Sequence, residues 1–94
     1  MTRILGNQLG ESGYVTIYRA VLADVTYFKH NDYVTLSLKW AIGHAEHVAA
    51  VEEEKAVVLA STVLKSQVHE AHNPGEYFYA GPTKNGRVVK VVNP

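Results

Sequence analysis

An arginine inside a strand of a small protein carries a chemical requirement, because burying an unpaired guanidinium is very costly. Arg19 follows Tyr18 in a strand-like run and needs an anionic partner or an exit to solvent. Two hydroxyls, Thr35 and Ser37, flank Leu36 where an alternating segment gives way to a helical one. A late carboxylate, Glu76, follows Asn73-Pro74-Gly75 at the start of another strand-like segment. Two hydroxyls on one strand face and this carboxylate are suitable partners for the guanidinium. The same residues also fit a plainer arrangement, with Arg19 on an exposed face, Ser37 only capping a helix and Glu76 at the surface.

The other polar groupings carry less. His44 and His47 are three apart, and His69 and His72 repeat that spacing in a polar stretch. Histidines at i and i+3 on a helix share a face and suit a metal. Here, though, His44 and His47 fall on a stripe with Trp40 and Val51, where packing and a hydrogen bond account for them, and no metal site is expected. Glu52, Glu53 and Glu54 form a charge run that reads as a solvated helix end or a partner contact. Lys84, Arg87 and Lys90 lie in a segment, Gly81 to Pro94, that has no carboxylate. They suit contact with a partner or with nucleic acid, and equally the protection of an edge strand against pairing.

These residues need elements to hold them. Tyr14 to Leu22 is β-branched and aromatic at strand length. His30-Asn31-Asp32 reads as a turn, and Tyr33 to Leu38 as a second strand with Tyr33, Thr35 and Ser37 on one face. From Lys39 to about Glu54 the recurrence of Trp40, His44, His47, Val48 and Val51 predicts a helix, with Ser37 as its N-cap. Ala56 to Leu64 is a near-continuous apolar run, the pattern of a buried strand. Lys65 to Pro74 reads as a polar connection, Glu76 to Ala80 as a short strand, and Asn85-Gly86 as the turn of a closing basic hairpin. The expected fold is α+β: a small, twisted, mainly antiparallel sheet with the Trp40 helix against one face. Residues 1–13, rich in glycine and polar side chains, are expected to form a loose arm ahead of a single domain over 14–94.

Composition narrows the function classes. At 94 residues there is room for one domain, and the 47% hydrophobic content is that of a globular chain rather than a disordered one. Nine basic residues balance nine acidic ones, which argues against non-specific DNA coating or polybasic membrane attachment. The absence of cysteine removes disulfide frameworks, zinc ribbons and thiol nucleophiles. No apolar run approaches the roughly 20 residues of a membrane span, and the start lacks the apolar core of a secretion signal, so a cytoplasmic location is expected.

In their order and placement, Tyr18-Arg19-Ala20-Val21, Asn31-Asp32-Tyr33-Val34-Thr35-Leu36-Ser37 and Asn73-Pro74-Gly75-Glu76-Tyr77-Phe78-Tyr79 resemble the Arg-Ser-Glu core of the ADP-ribosyltransferase superfamily, especially its short phage and polyvalent-protein versions. The resemblance runs from about Tyr14 to Gly81. It implies transfer of ADP-ribose from NAD, with Arg19 holding the phosphates or ribose, Thr35 and Ser37 shaping the nicotinamide ribose pocket, and Glu76 as the catalytic carboxylate. It further implies that Arg19, Ser37 and Glu76 converge on one cleft. The sequence departs from the family at Pro74, where arginine-modifying members have Glu or Gln, and at Thr35, where the family has Ser; arginine modification is therefore disfavoured.

Two functions follow as expectations. In the first, favoured by the short chain and these departures, the protein is a phage-type, anti-CRISPR-like inhibitor on an ADP-ribosyltransferase-like scaffold, and it occludes a host or defence protein or ribonucleoprotein complex in the host cytoplasm. Lys84, Arg87, Lys90 and Glu52 to Glu54 would then make the partner contacts, without a cofactor. In the second, it is an active NAD-dependent mono-ADP-ribosyltransferase using Arg19, Ser37 and Glu76.

Overall fold

The computed structural model describes residues 13–94, so the expected arm lies, apart from Gly13, outside the described residues. The two longest strands, β1 (Tyr14–Leu22) and β4 (Ala56–Leu64), pair antiparallel along their full length, from Tyr14 opposite Leu64 to Leu22 opposite Ala56. Between them come β2 (Tyr27–Phe28), β3 (Tyr33–Val34) and the helix α1 (Leu38–Glu52). After β4 follow a short 3-10 turn, Lys65–Gln67, then β5 (Val68–Glu70), β6 (Tyr77–Tyr79), β7 (Lys84–Asn85) and β8 (Arg87–Val92). β4 is the central strand of a sheet ordered β1-β4-β8, while β3-β6-β5 and β2-β7 form two smaller sheets. The architecture is α+β with antiparallel sheets, and among the described residues no helix is long and apolar enough to cross a membrane.

β4 reads as a continuous apolar run because both of its faces are covered, and Ala56 to Ser61 are all buried. On one face Ala56 and Val58 meet Ala41, Ala45 and Ala49 of α1. On the other Val57, Leu59 and Val63 join Ile17 and Val21 of β1 and pack with Phe28, Val34, Val68 and Tyr79 from the smaller sheets.

Several expectations change. The helix lies within two residues of its predicted ends, but it packs through its alanines, while Trp40 is 57% and Val51 61% exposed. Both stripes have helical period, so periodicity could not choose between them; small side chains let the helix lie close to the sheet. His44 and His47 are exposed rather than packed.

The strand predicted over Tyr33 to Leu38 is cut to Tyr33–Val34 plus one bridge, Thr35 opposite Tyr18. Thr35 Oγ1 accepts from the Ser37 amide at 3.1 Å and turns the chain out of the strand into the helix. The stretch after Leu64 is not a plain connection, since β5 within it carries His69.

Asn85-Gly86 does not close a hairpin. β7 pairs with β2 and β8 with β4, so Lys84 is separated from Arg87 and Lys90 by a change of sheet. The favoured two-residue hairpin turn needs positive φ at both central residues, and neither Asn85 nor Gly86 has it. Gly86 is required for a different reason: an added Cβ would stand 3.0 Å from Phe28 Cε1 and 3.2 Å from Leu59 Cβ.

Candidate functional site

The single bridge between Tyr18 and Thr35 joins β1 to the chain leaving β3, and beside it the two sheets part. The opening is a cleft of about 550 Å³, within the usual range of roughly 300–1,000 Å³ for small-molecule sites. Its walls come from β1, the Asn31 to Thr35 segment, the first turns of α1 and the turn before β6.

Arg19 enters from β1, opposite Leu59 in the register and so on the sheet face away from the helix. Its Nη1 donates to Asp32 Oδ2 at 3.2 Å, an ion pair in which the Asp32 side chain is only 11% exposed. The same Asp32 oxygen accepts from the Lys29 amide at 2.8 Å. The Asp32 carbonyl accepts from the Tyr79 amide at 2.9 Å, and the Asn31 amide donates to the Tyr79 carbonyl at 2.6 Å. Asn31 takes φ 74, a left-handed conformation that asparagine tolerates better than most residues. Asp32 thus orients Arg19 from a backbone that is itself tied to the core strand β6. Arg19 makes this one side-chain bond, and its other N–H donors have no acceptor among the described residues.

Glu76 is positioned by its local sequence. Asn73-Pro74-Gly75-Glu76 forms a type II turn: proline fixes the second position, Gly75 supplies φ 83 at the third, and the Glu76 amide donates to the Asn73 carbonyl at 3.1 Å. Asn73 Nδ2 then donates to Glu76 Oε1 at 3.1 Å, leaving Oε2 for other donors. Opposite, the Ala71 amide donates to the Glu76 carbonyl at 2.8 Å and extends the β5–β6 pairing by one residue.

Arg19, Thr35 and Glu76 all line this cleft. Ser37 does not. Its Oγ accepts from the Trp40 amide at 3.1 Å as the helix N-cap, and it lines a neighbouring open hollow with Lys39, Trp40, Gly43 and His44. Thr35 is 7% exposed, with its hydroxyl accepting from Ser37. The two hydroxyls therefore serve the strand-to-helix junction rather than Arg19.

Sequence reasoning passed over Asp32 as a turn residue. One signal was available: a strand arginine calls for a carboxylate, and Asp32 is the sole acidic residue between Asp24 and Glu46. Also unassigned were the exposed rings at the cleft, Tyr33 and Trp40, and His72, while His44 lines both the cleft and the hollow. His69 stacks on Phe78 with ring centroids 5.3 Å apart. Among the described residues no three or more His, Cys, Asp or Glu side chains gather as a metal-holding group.

The expected partner residues are scattered. Lys84 Nζ donates to the Thr62 carbonyl at 2.5 Å. Arg87 and Lys90 are exposed on the edge strand β8, opposite Ala60 and Val58 and hence on its helix side. Glu52, Glu53 and Glu54 are exposed where α1 ends, with Glu53 at φ 54.

No family model, no curated protein and no solved structure matches this chain.

Proposed function

We propose that the cleft takes NAD and that the protein is a mono-ADP-ribosyltransferase with Arg19 and Glu76 as its working residues. One observation carries this reading: residues from three distant segments, Arg19, Thr35 and Glu76, line a single cleft in which an oriented arginine keeps donors without an acceptor among the described residues. That donor set and a carboxylate within one cleft fit a ligand with a pyrophosphate and ribose hydroxyls.

Bound NAD supplies a glycosidic bond whose cleavage releases neutral nicotinamide and leaves ADP-ribose joined to an acceptor, with the acceptor's proton passing to solvent. Arg19 holds the pyrophosphate by charge-assisted hydrogen bonds while Asp32 keeps its guanidinium in place. Glu76 accepts from a ribose hydroxyl and stabilises the positive charge that grows on the ribose as the bond loosens. Thr35 shapes the wall beside them. Ser37 acts through the helix cap, so its effect on activity follows from the placement of Trp40 and His44.

Calorimetric titration with NAD, beside mass spectrometry of candidate acceptors, tests this reading. Saturable binding that is lost in Arg19→Gln, with a mass increment on an acceptor, is the expected result. No binding to the folded wild type would refute it.

Occlusion of a host or defence protein remains the second reading, and an exposed apolar edge favours it. Val88 and Val91 on β8 are 53% and 48% exposed, on the sheet face opposite Arg87 and Lys90. An occluder forms a stable complex and leaves no mass change on its target, and charge reversal of Arg87, Lys90 or Glu52 to Glu54 weakens that complex.

A further inference from the structure

The hollow beside the cleft is built around a tryptophan that the fold does not use. Trp40 is more than half exposed and contributes nothing to the alanine seam beneath it. Its one ring partner among the described residues is His44, at 5.3 Å between centroids and an interplanar angle of 81°. Such an edge contact steadies the indole and engages at most one of its faces. Gly43 keeps the neighbouring surface low, since an added Cβ there would meet nothing within 4 Å. Lys39 and Ser37 complete the rim.

The chemistry of this lining selects an occupant. Among the described residues it offers a flat π surface, an imidazole and one ammonium group, and no carboxylate. Lys39 has no ion-pair partner among the described residues. A cationic peptide side chain finds no counter-charge among the described residues that line the hollow. A planar base with a phosphate beside it finds both partners, the pairing by which proteins grip single strands without reading sequence.

We infer that the Trp40 hollow binds one nucleotide unit of a single-stranded nucleic acid, with the base stacked on the indole and the adjacent phosphate at Lys39. The inference deepens the transferase reading, on which it rests for its biological sense: Trp40 and His44 line both hollow and cleft, so the strand would lie next to the NAD site. Net charge is zero, so the contact is local rather than a coating of the backbone.

Trp40 is the one tryptophan in the chain, so its fluorescence reports the hollow together with the adjoining wall of the cleft, and the Arg19→Gln protein separates the two. The full-length protein is titrated with a short oligothymidylate and, separately, with thymidine monophosphate, in wild type and in Arg19→Gln, whose NAD site is disabled. Saturable quenching by the oligonucleotide in both proteins, at clearly lower concentration than with the mononucleotide, is expected. Anisotropy of a labelled oligonucleotide should show Trp40→Leu binding about 5- to 100-fold more weakly, Trp40→Phe less affected, and Lys39→Gln with a shallower salt dependence. Absence of saturable quenching, equal affinity for the mononucleotide, or unchanged anisotropy in a folded Trp40→Leu protein would each overturn the inference. NAD calorimetry on the same preparations reports the neighbouring cleft independently, so failure of one site is distinguishable from failure of the other.

Discussion

On the helix side of β4, Ala56 and Val58 meet Ala41, Ala45 and Ala49, whereas on the other side Val57, Leu59 and Val63 meet Phe28, Val68 and Tyr79. The first layer is held by closeness and the second by volume. Small side chains bring the helix backbone down onto the sheet, so that face has no space to spare. Large side chains from several short strands fill the other face, and each removes much apolar surface from water. The cleft opens where the layers part, and both line it. Tyr79 ties down the Asn31 and Asp32 backbone through β6, and the alanine seam sets the helix that presents Trp40 and His44.

If this contrast is right, deletion should hurt most on the large side. Phe28 is fully buried in the core cluster on this side, and Phe28→Ala should lower stability by about 3–5 kcal/mol in urea unfolding. A loss below about 1 kcal/mol would mean the short strands collapse around the gap and the volume argument fails.

At the parting of the layers, chemistry and stability should separate. Glu76→Gln keeps the Asn73 contact available but removes the negative charge. It should cut transfer activity about 100-fold or more, equivalent to roughly 2.7 kcal/mol of transition-state stabilisation, with an unchanged thermal melt. Unchanged activity would move the function from the cleft to an occluding surface.

The alanine seam should be sensitive to addition. Ala45→Leu, at a position with no exposure, should cost about 1–3 kcal/mol, while the same change at exposed Ala50 should stay within about 0.5 kcal/mol. Equal effects at the two positions would show that the helix floats above the sheet. Loss of the helix cap is smaller, and Ser37→Ala should cost about 1 kcal/mol by removing the acceptor for the Trp40 amide.

The smallest effect is a pH dependence on the large side. Burial raises the Tyr79 phenol above its ordinary value, so the folded state favours the protonated form. Its contribution is full below about pH 10 and is lost as pH rises from there through the raised folded value. Tyr79→Phe should flatten that alkaline loss, while costing about 1 kcal/mol at neutral pH through the lost bond to the Pro82 carbonyl. An alkaline unfolding profile identical to wild type would exclude Tyr79 as its source.

β1 and β4 could be read directly, with the observed ends Tyr14–Leu22 and Ala56–Leu64, because β-branched composition and length act locally. The helix and its Ser37 cap were legible for the same reason, and so was the break at Asn73-Pro74-Gly75, where proline and glycine restrict φ by themselves. What depended on distant surfaces was not legible. The pattern from Lys39 onward carries two stripes of helical period, and only the proximity of Ala56 and Val58 selects the alanines. Asn85-Gly86 carries hairpin chemistry, yet β4 offered β8 a longer partner than β7 could, and Gly86 was needed against Phe28 and Leu59. The candidate site divides along the same line. Residue types and order singled out Arg19, Thr35 and Glu76, which line one cleft, but the choice of Asp32 as the partner of Arg19, and the use of Ser37 as a cap outside the cleft, came from the tertiary structure. Local preferences reside in each residue's own backbone and side chain, whereas a contact partner is set by which segments the core brings within bonding distance.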